Sequence, residues 1–267
     1  HSATGGRSTC FGRPAPECPR GLAAPPDITH GHDGRPALPP AMLRGTAALY
    51  PELRRVRLVQ TIHNLAYQGI VDADWLPRLD LPWSLFSIDR MEYWGRISLL
   101  KGGINDSTLI TTVSPRYAQE IQTPELGAGL DDYLRARSTR LVGILNGVDY
   151  EEWDPATDRS IPFQYGPSDP SPKRENQRAL AERLGLSGDR ALPIFGVASR
   201  LVAQKGLDLA AEVLPRFLAR GELQLAILGS GESRVEALFE ELARQFPGRV
   251  GVVNGYGPAL AHLIAAG

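Results

Sequence analysis

The sequence predicts an α/β fold built on parallel sheets. Three observations carry this. Short apolar or β-branched runs end in polar, Gly-containing turns. Helical segments with one apolar face follow several of those runs. From about residue 192 onward the two kinds alternate without interruption, which is the pattern of right-handed β-α-β units. Ligands of such sheets sit at the carboxyl ends of the strands, so the strand ends are where site residues are sought.

Taken in order, residues 1–26 are rich in Pro, Gly and Arg and read as an irregular stretch. "PDITHGHD" (Pro26 to Asp33) is a short strand running into a polar end, and "RLVQTIHN" (Arg57 to Asn64) is a stronger one. "WGRISLLKGGIND" (Trp94 to Asp106) has apolar residues at helical spacing. "TLITTV" (Thr108 to Val113) is β-branched and strand-like. Ser114 then offers an N-cap, with Pro115 in the first helical position of "PRYAQEIQ". "RLVGIL" (Arg140 to Leu145) is a strand closed by Asn146-Gly147.

Residues 151–190 are rich in Pro, Asp and Ser and turn helical near Lys173, which reads as a connection between domains. Beyond it, "LPIFGVAS" is a strand and "GLDLAAEVLPRFLAR" an amphipathic helix facing inward with Leu207, Ala210, Leu214, Phe217 and Leu218. Pro215 is expected to kink that helix and Gly221 to end it. "LQLAIL" is a strand, "GSGE" a Gly turn and "SRVEALFEELARQF" a helix. "RVGVVN" is a strand and "PALAHLIAAG" a last helix.

The 267 residues suffice for one large domain or two small ones. A net charge of −1 gives no bulk electrostatic reason for a nucleic-acid or membrane partner. Lysine occurs only at Lys101, Lys173 and Lys205, so each stands out in an Arg-rich chain. Cys10 and Cys18 match no zinc or redox spacing and fit a reducing, cytoplasmic setting. There is no apolar run long enough to span a bilayer and no signal-peptide anatomy near the start. The chain opens without Met and closes in mid-pattern, and reads as a fragment.

Several strand ends carry chemistry, each with a plain structural alternative. In "ASRLVAQKG", Arg200 and Lys205 flank a loop at a strand end. They suit a diphosphate leaving group, on which negative charge grows as a bond breaks, or are two surface cations. "LGSGE" fails the dinucleotide fingerprint because Arg234 stands where its third Gly belongs. Its turn allows close backbone approach, and Glu232 is a helix-start carboxylate or a weak site wall. In "HGHD", His30 and His32 share a strand face beside Asp33, but a metal would need a third ligand, so no metal site is assigned. Asn146 marks a tight turn or a ligand contact. Tyr256 in "NGYG" packs at a core edge or offers a flat face to a purine. In "TIHNLAYQGI" the polar pair His63-Asn64 closes a buried strand, where such groups are costly without a purpose. No nucleophile elbow, Cys–His pair or P-loop is present.

These stretches together resemble the ADP-glucose-using family of bacterial glycogen synthases and plant starch synthases. The matching pieces are "PDITHGHD", "TIHNLAYQGI", "EYWGRISLLKGGIND", "TTVSPRYAQEIQTPELGAGLDDYLRAR", "GILNGVDYEEWDPATD", "SRLVAQKGLDL" and "GYGPALAHLIAAG", in the family's order. The resemblance implies two Rossmann-like domains of the GT-B glycosyltransferase architecture, both incomplete here. Residues 27–155 would be part of the acceptor-side domain, 156–190 the connection, and 191–267 the first half of the nucleotide-sugar-binding domain. It implies transfer of glucose from ADP-glucose to the non-reducing end of an α-1,4-glucan with retention, in a bacterial cytoplasm, with no cofactor or metal.

Carried over residue by residue, Arg200 and Lys205 clamp the diphosphate. His63 and Asn64 approach the donor sugar, Asn146 contacts the same region and Tyr256 lies by the adenine. Asp33 belongs to the segment lining the acceptor side. Gly34 and Gly257 depart from the family, whose usual residues there are Trp and a polar side chain. The family's "KxGGL" and "ExCGL" segments are absent, so the chain alone is expected to be poorly soluble and inactive. The alternatives are a retaining GT-B enzyme using UDP-sugars and a non-catalytic remnant.

Overall fold

In the computed structural model, residues 26–34, 55–79, 81–187 and 192–267 are described; the stretch read as irregular, residues 1–26, lies outside them but for its last residue. The chain divides into two compact units, His1–Gly147 and Val148–Gly267.

The first unit contains, in chain order, β1 (Ile28–His32), β2 (Arg57–Ile62), β3 (Ile70–Val71), α1 (Trp75–Arg78), β4 (Glu92–Tyr93) and β5 (Arg96–Ser98). There follow α2 (Leu99–Asp106), β6 (Leu109–Thr112), α3 (Pro115–Glu120), α4 (Asp131–Arg135) and β7 (Leu141–Gly143). Its main sheet has the order β1-β2-β6-β7, with every pair parallel. The core under it is Ile62, Leu65, Leu100, Ile104, Ile110, Ile121, Leu130 and Leu134. Ser114 caps α3 by accepting from the Tyr117 N–H, with Pro115 at the first position, as the sequence predicts.

The helical reading of Trp94 to Asp106 needs correction, because only Leu99 onward is helix. Trp94 and Gly95 both have positive φ, 50° and 77°. They form the two-residue turn of a hairpin, and its strands β4 and β5 join β3 in a small antiparallel sheet. Ser98 then caps α2 by accepting from the Lys101 N–H at 3.1 Å. Lys101 is buried, and its Nζ donates to the carbonyls of Ile88 and Glu92 at 2.5 and 2.6 Å. Burial lowers its pKa against the opposing pull of Glu92 and Asp89.

The second unit contains α5 (Lys173–Leu184), β8 (Ile194–Ala198), α6 (Leu207–Arg220), β9 (Gln224–Gly229), α7 (Ser233–Gln245), β10 (Val250–Asn254) and α8 (Pro258–Ala266). The sheet order is β10-β9-β8, all parallel. Strand β9 is buried along its whole length, which is why it reads as an unbroken apolar run. One layer of core joins α6 and α7 to the sheet through Leu218, Leu225, Ile227 and Phe239. The other joins α5 and α8 through Leu180, Ala226, Leu228 and Leu260. Helix α6 continues past Pro215 to Arg220 and ends at Gly221 with φ 72°. Its buried stripe uses Ala211 rather than Ala210.

Candidate functional site

The polar ends of β1 and β2 form one connected cluster in the first unit. Parallel pairing sets His30 beside Val59 and His32 beside Thr61. His30 Nε2 lies 2.6 Å from Thr61 Oγ1, which is 2.6 Å from Thr111 Oγ1 on β6. His30 and His32 stack with centroids 4.3 Å apart, and His32 Nδ1 is 2.9 Å from His63 Nε2. Burial, then the neighbouring His32 and His63, lowers the pKa of His30. Among the described residues no three His, Cys, Asp or Glu side chains form a metal-holding group.

Asp33 turns out to be the anchor of the His63-Asn64 turn. Its Oδ1 accepts from the backbone N–H of His63 at 2.8 Å and of Asn64 at 3.3 Å. Asn64 Oδ1 in turn accepts from the Ala66 N–H, so the turn is closed by an Asx contact. The buried Gln68 side chain extends the network. It donates to the Ala128 carbonyl at 2.9 Å and accepts from Ser98 Oγ at 3.0 Å. Ala128 has φ 48°, and its carbonyl also accepts from the Tyr93 hydroxyl. Asn146 lies past the end of β7 and is exposed, and neither it nor Gly147 has positive φ. No turn is formed at the pair, so the tight turn the sequence suggests is not found there.

In the second unit a cavity of about 350 Å³ opens at the carboxyl ends of β8, β9 and β10, the position that parallel α/β sheets use for ligands. Arg200 and Tyr256 both line it, and Tyr256 is almost fully exposed. Lys205 ends a one-turn helix, Ala203–Lys205; it is exposed and not among the lining residues. The "GSGE" turn brings Gly229 and Ser230 to the cavity lining, and its glycines also serve the chain's own packing. A Cβ at Gly229 would lie 1.9 Å from the Ser199 carbonyl oxygen, and one at Gly231 2.3 Å from that of Leu201. Both glycines admit close packing of the chain's own backbone, fixed by the Leu201 N–H to Ser230 carbonyl bond. Glu232 precedes α7 without a capping bond, and Glu236 accepts from the Gly231 N–H instead.

Sequence reading missed one part of this cavity. Trp153 and His262 also line it. Their rings stack at 3.9 Å and 6° from parallel. His262 Nδ1 is 2.7 Å from Asp158 Oδ2, and both residues are buried. Burial opposes ionisation of Asp158, but the Ser160 N–H and then His262 outweigh it and hold the carboxyl below its usual range. Partners 104 positions apart leave no local signal; a Trp inside an Asp- and Pro-rich connection was the only available hint.

The sequence profile of the starch synthase catalytic domain matches residues 2–136. The chain belongs to the starch synthase catalytic-domain family. A glycogen synthase of Rhodopseudomonas palustris is 46% identical over 98% of this chain and 53% of its own length. Glycogen synthase 2 of Bradyrhizobium diazoefficiens is 44% identical over 98% of the chain and 54% of its own length. The chain thus spans about half the length of these curated relatives. The catalytic domain of starch synthase IV from Arabidopsis thaliana, solved bound to ADP and acarbose, superposes with a TM-score of 0.89 at 35% identity. That match covers all of this chain and 55% of the other. The expected α/β class with parallel sheets is that of the starch synthase family. Among the described residues, no helix is long and apolar enough to cross a membrane.

Proposed function

We propose that the chain carries donor- and acceptor-facing groups of an ADP-glucose-dependent α-glucan synthase. The reaction is transfer of glucose to the non-reducing end of an α-1,4-glucan with retention at the anomeric carbon. Residues 27–147 serve the acceptor side; the stretch expected to extend that domain to residue 155 falls in the second unit and brings Trp153 to the nucleotide cavity; 156–190 connect, and 191–267 bind the nucleotide sugar in a bacterial cytoplasm. The observation that carries this reading is the cavity at the ends of β8, β9 and β10, lined by Arg200 and Tyr256, in a chain whose solved relative was bound to ADP and acarbose.

In this reading, Arg200 and Lys205 neutralise the diphosphate as the anomeric C–O bond breaks. Arg contributes a planar fork and Lys a mobile point charge. Tyr256 faces the adenine, while His63, Asn64 and Asn146 face the donor sugar. Asp33 reaches the acceptor side through the turn it anchors.

Calorimetric titration of the chain with ADP is expected to give saturable binding that Arg200→Ala weakens. Absence of binding at millimolar ADP would overturn the reading, and equal or tighter binding of UDP would favour a UDP-sugar enzyme. The 267-residue chain alone is expected not to extend glucan, and robust extension by it would contradict that. In a protein of the relatives' full length, Lys205→Ala is expected to cost turnover about 2–4 kcal/mol, the scale of one oriented electrostatic group.

A further inference from the structure

Trp153 presents two faces to different surroundings. One lies flat on the His262 ring. The residue is nevertheless 44% exposed and lines the cavity that Arg200 and Tyr256 share. An indole in that position is a platform, provided something keeps it still. Three sets of contacts do so. The Trp153 backbone N–H donates to the Asp149 carbonyl at 2.9 Å, and Asp149 Oδ1 accepts from the backbone N–H groups of Glu151 and Glu152. His262 is 4% exposed on α8, and its Nδ1 meets the buried Asp158 carboxylate at 2.7 Å. Asp158 Oδ1 accepts from the Ser160 N–H at 2.7 Å, and its carbonyl from Gln164 Nε2. The segment carrying Trp153 is thus tied to α8 directly under the ring.

We propose that Trp153 is a stacking wall for the nucleotide base in this cavity, and that His262, held by Asp158, is the positioning residue that keeps the indole parallel to the base. The proposal rests on the nucleotide-site reading above. It adds a second aromatic face to that of Tyr256. Stacking grows with ring area, so a bicyclic purine gains more from the platform than a pyrimidine does. The wall therefore contributes to preference for an adenine over a uracil nucleotide, a choice that Arg200 and Lys205 cannot make because both diphosphates look alike to them.

The test uses calorimetric titration of the chain with ADP and with UDP. Trp153→Ala is expected to weaken ADP binding about 5- to 150-fold, the range for removing one base-stacking aromatic ring, and to weaken UDP binding less. Trp153→Phe keeps a flat ring and should stay within about tenfold of the parent. Trp153 is the only tryptophan beyond Trp94, so ADP is expected to change the tryptophan emission of the parent and not that of Trp153→Phe. His262→Phe keeps the backing ring and should bind ADP better than His262→Ala. Parent-like ADP affinity in Trp153→Ala would overturn the proposal, as would an emission change that survives in Trp153→Phe. Equal affinities of the two His262 variants would overturn the positioning role. If the parent binds no ADP, the nucleotide reading falls and this proposal with it; if the parent binds and the variants match it, only this proposal falls.

Discussion

Replacing Asp33 tests how the candidate site is held. Its Oδ1 accepts two backbone N–H groups across 30 and 31 positions of sequence, at 2.8 Å to His63 and 3.3 Å to Asn64. A hydrogen bond to a charged acceptor contributes about 1.5–3 kcal/mol when buried. Here Asp33 is half-buried, His63 is exposed and the second bond is long, so water recovers part of the loss, and removing the acceptor should cost about 1–2 kcal/mol. Asp33 also has φ 55°. An alanine forced into that region adds about 1 kcal/mol, which glycine avoids and asparagine tolerates. The expected stability order is therefore Asp33, then Asn, then Gly, then Ala, with Asp33→Ala lower by about 2–3 kcal/mol in all. Urea unfolding followed by circular dichroism reads the order directly. The difference between Asn and Gly variants reports the acceptor, and that between Gly and Ala reports the backbone. An Ala variant within about 0.5 kcal/mol of the parent, the ordinary range of surface changes, would refute the anchoring role.

Other outcomes follow from the same geometry. A Cβ at Gly34 would fall 2.5 Å from the backbone carbon of Gln68 and 2.7 Å from the nitrogen of Gly69, so Gly34→Ala should cost about 1–3 kcal/mol of overpacking in urea unfolding; a neutral substitution would mean the two loops are not packed backbone to backbone. His30 has a pKa lowered from 6.5. Below that value the unfolded chain binds more protons than the folded one, so its contribution to stability is complete above pH 6.5 and is lost as pH falls through the lower folded value. The unfolding midpoint should drop more between pH 7.5 and 5 in the parent than in His30→Gln, and equal slopes would remove His30 as the cause. Asn176 is fully buried and bonds both the N–H and the carbonyl of Phe163. Asn176→Ala should destabilise by about 1–3 kcal/mol, measured in the same way, whereas an unchanged midpoint would show that the 163 backbone finds other partners.

How much of this was legible depended on how local the cause was. Strand β9 could be read because burial on both faces leaves an unbroken apolar run, and helices α6 and α7 because burial of one face writes a period into consecutive residues. The hairpin of β4 and β5 could not, because its turn puts Trp94 at φ 50° where asparagine or glycine is the usual sign. Its Ile97 also happens to continue the helical spacing of α2. The "GSGE" glycines were visible, but not what they face, and a sequence cannot separate close approach to a ligand from close approach to its own Ser199 and Leu201 backbone.

The polar strand ends show the same limit at the level of chemistry. His63 and Asn64 looked costly without a purpose, and the fold supplies much of that purpose internally. Asp33 holds their backbone, and the His63 Nε2 faces His32 Nδ1 at 2.9 Å. A sugar hydroxyl approaching that nitrogen would compete with His32, which in turn stacks on His30. His63 can then serve a ligand through Nε2 only if the imidazole beside it gives up its bond, or through the other ring nitrogen with the present pair intact. The two arrangements need opposite tautomers of His63 when Nε2 is the donor in one and the acceptor in the other.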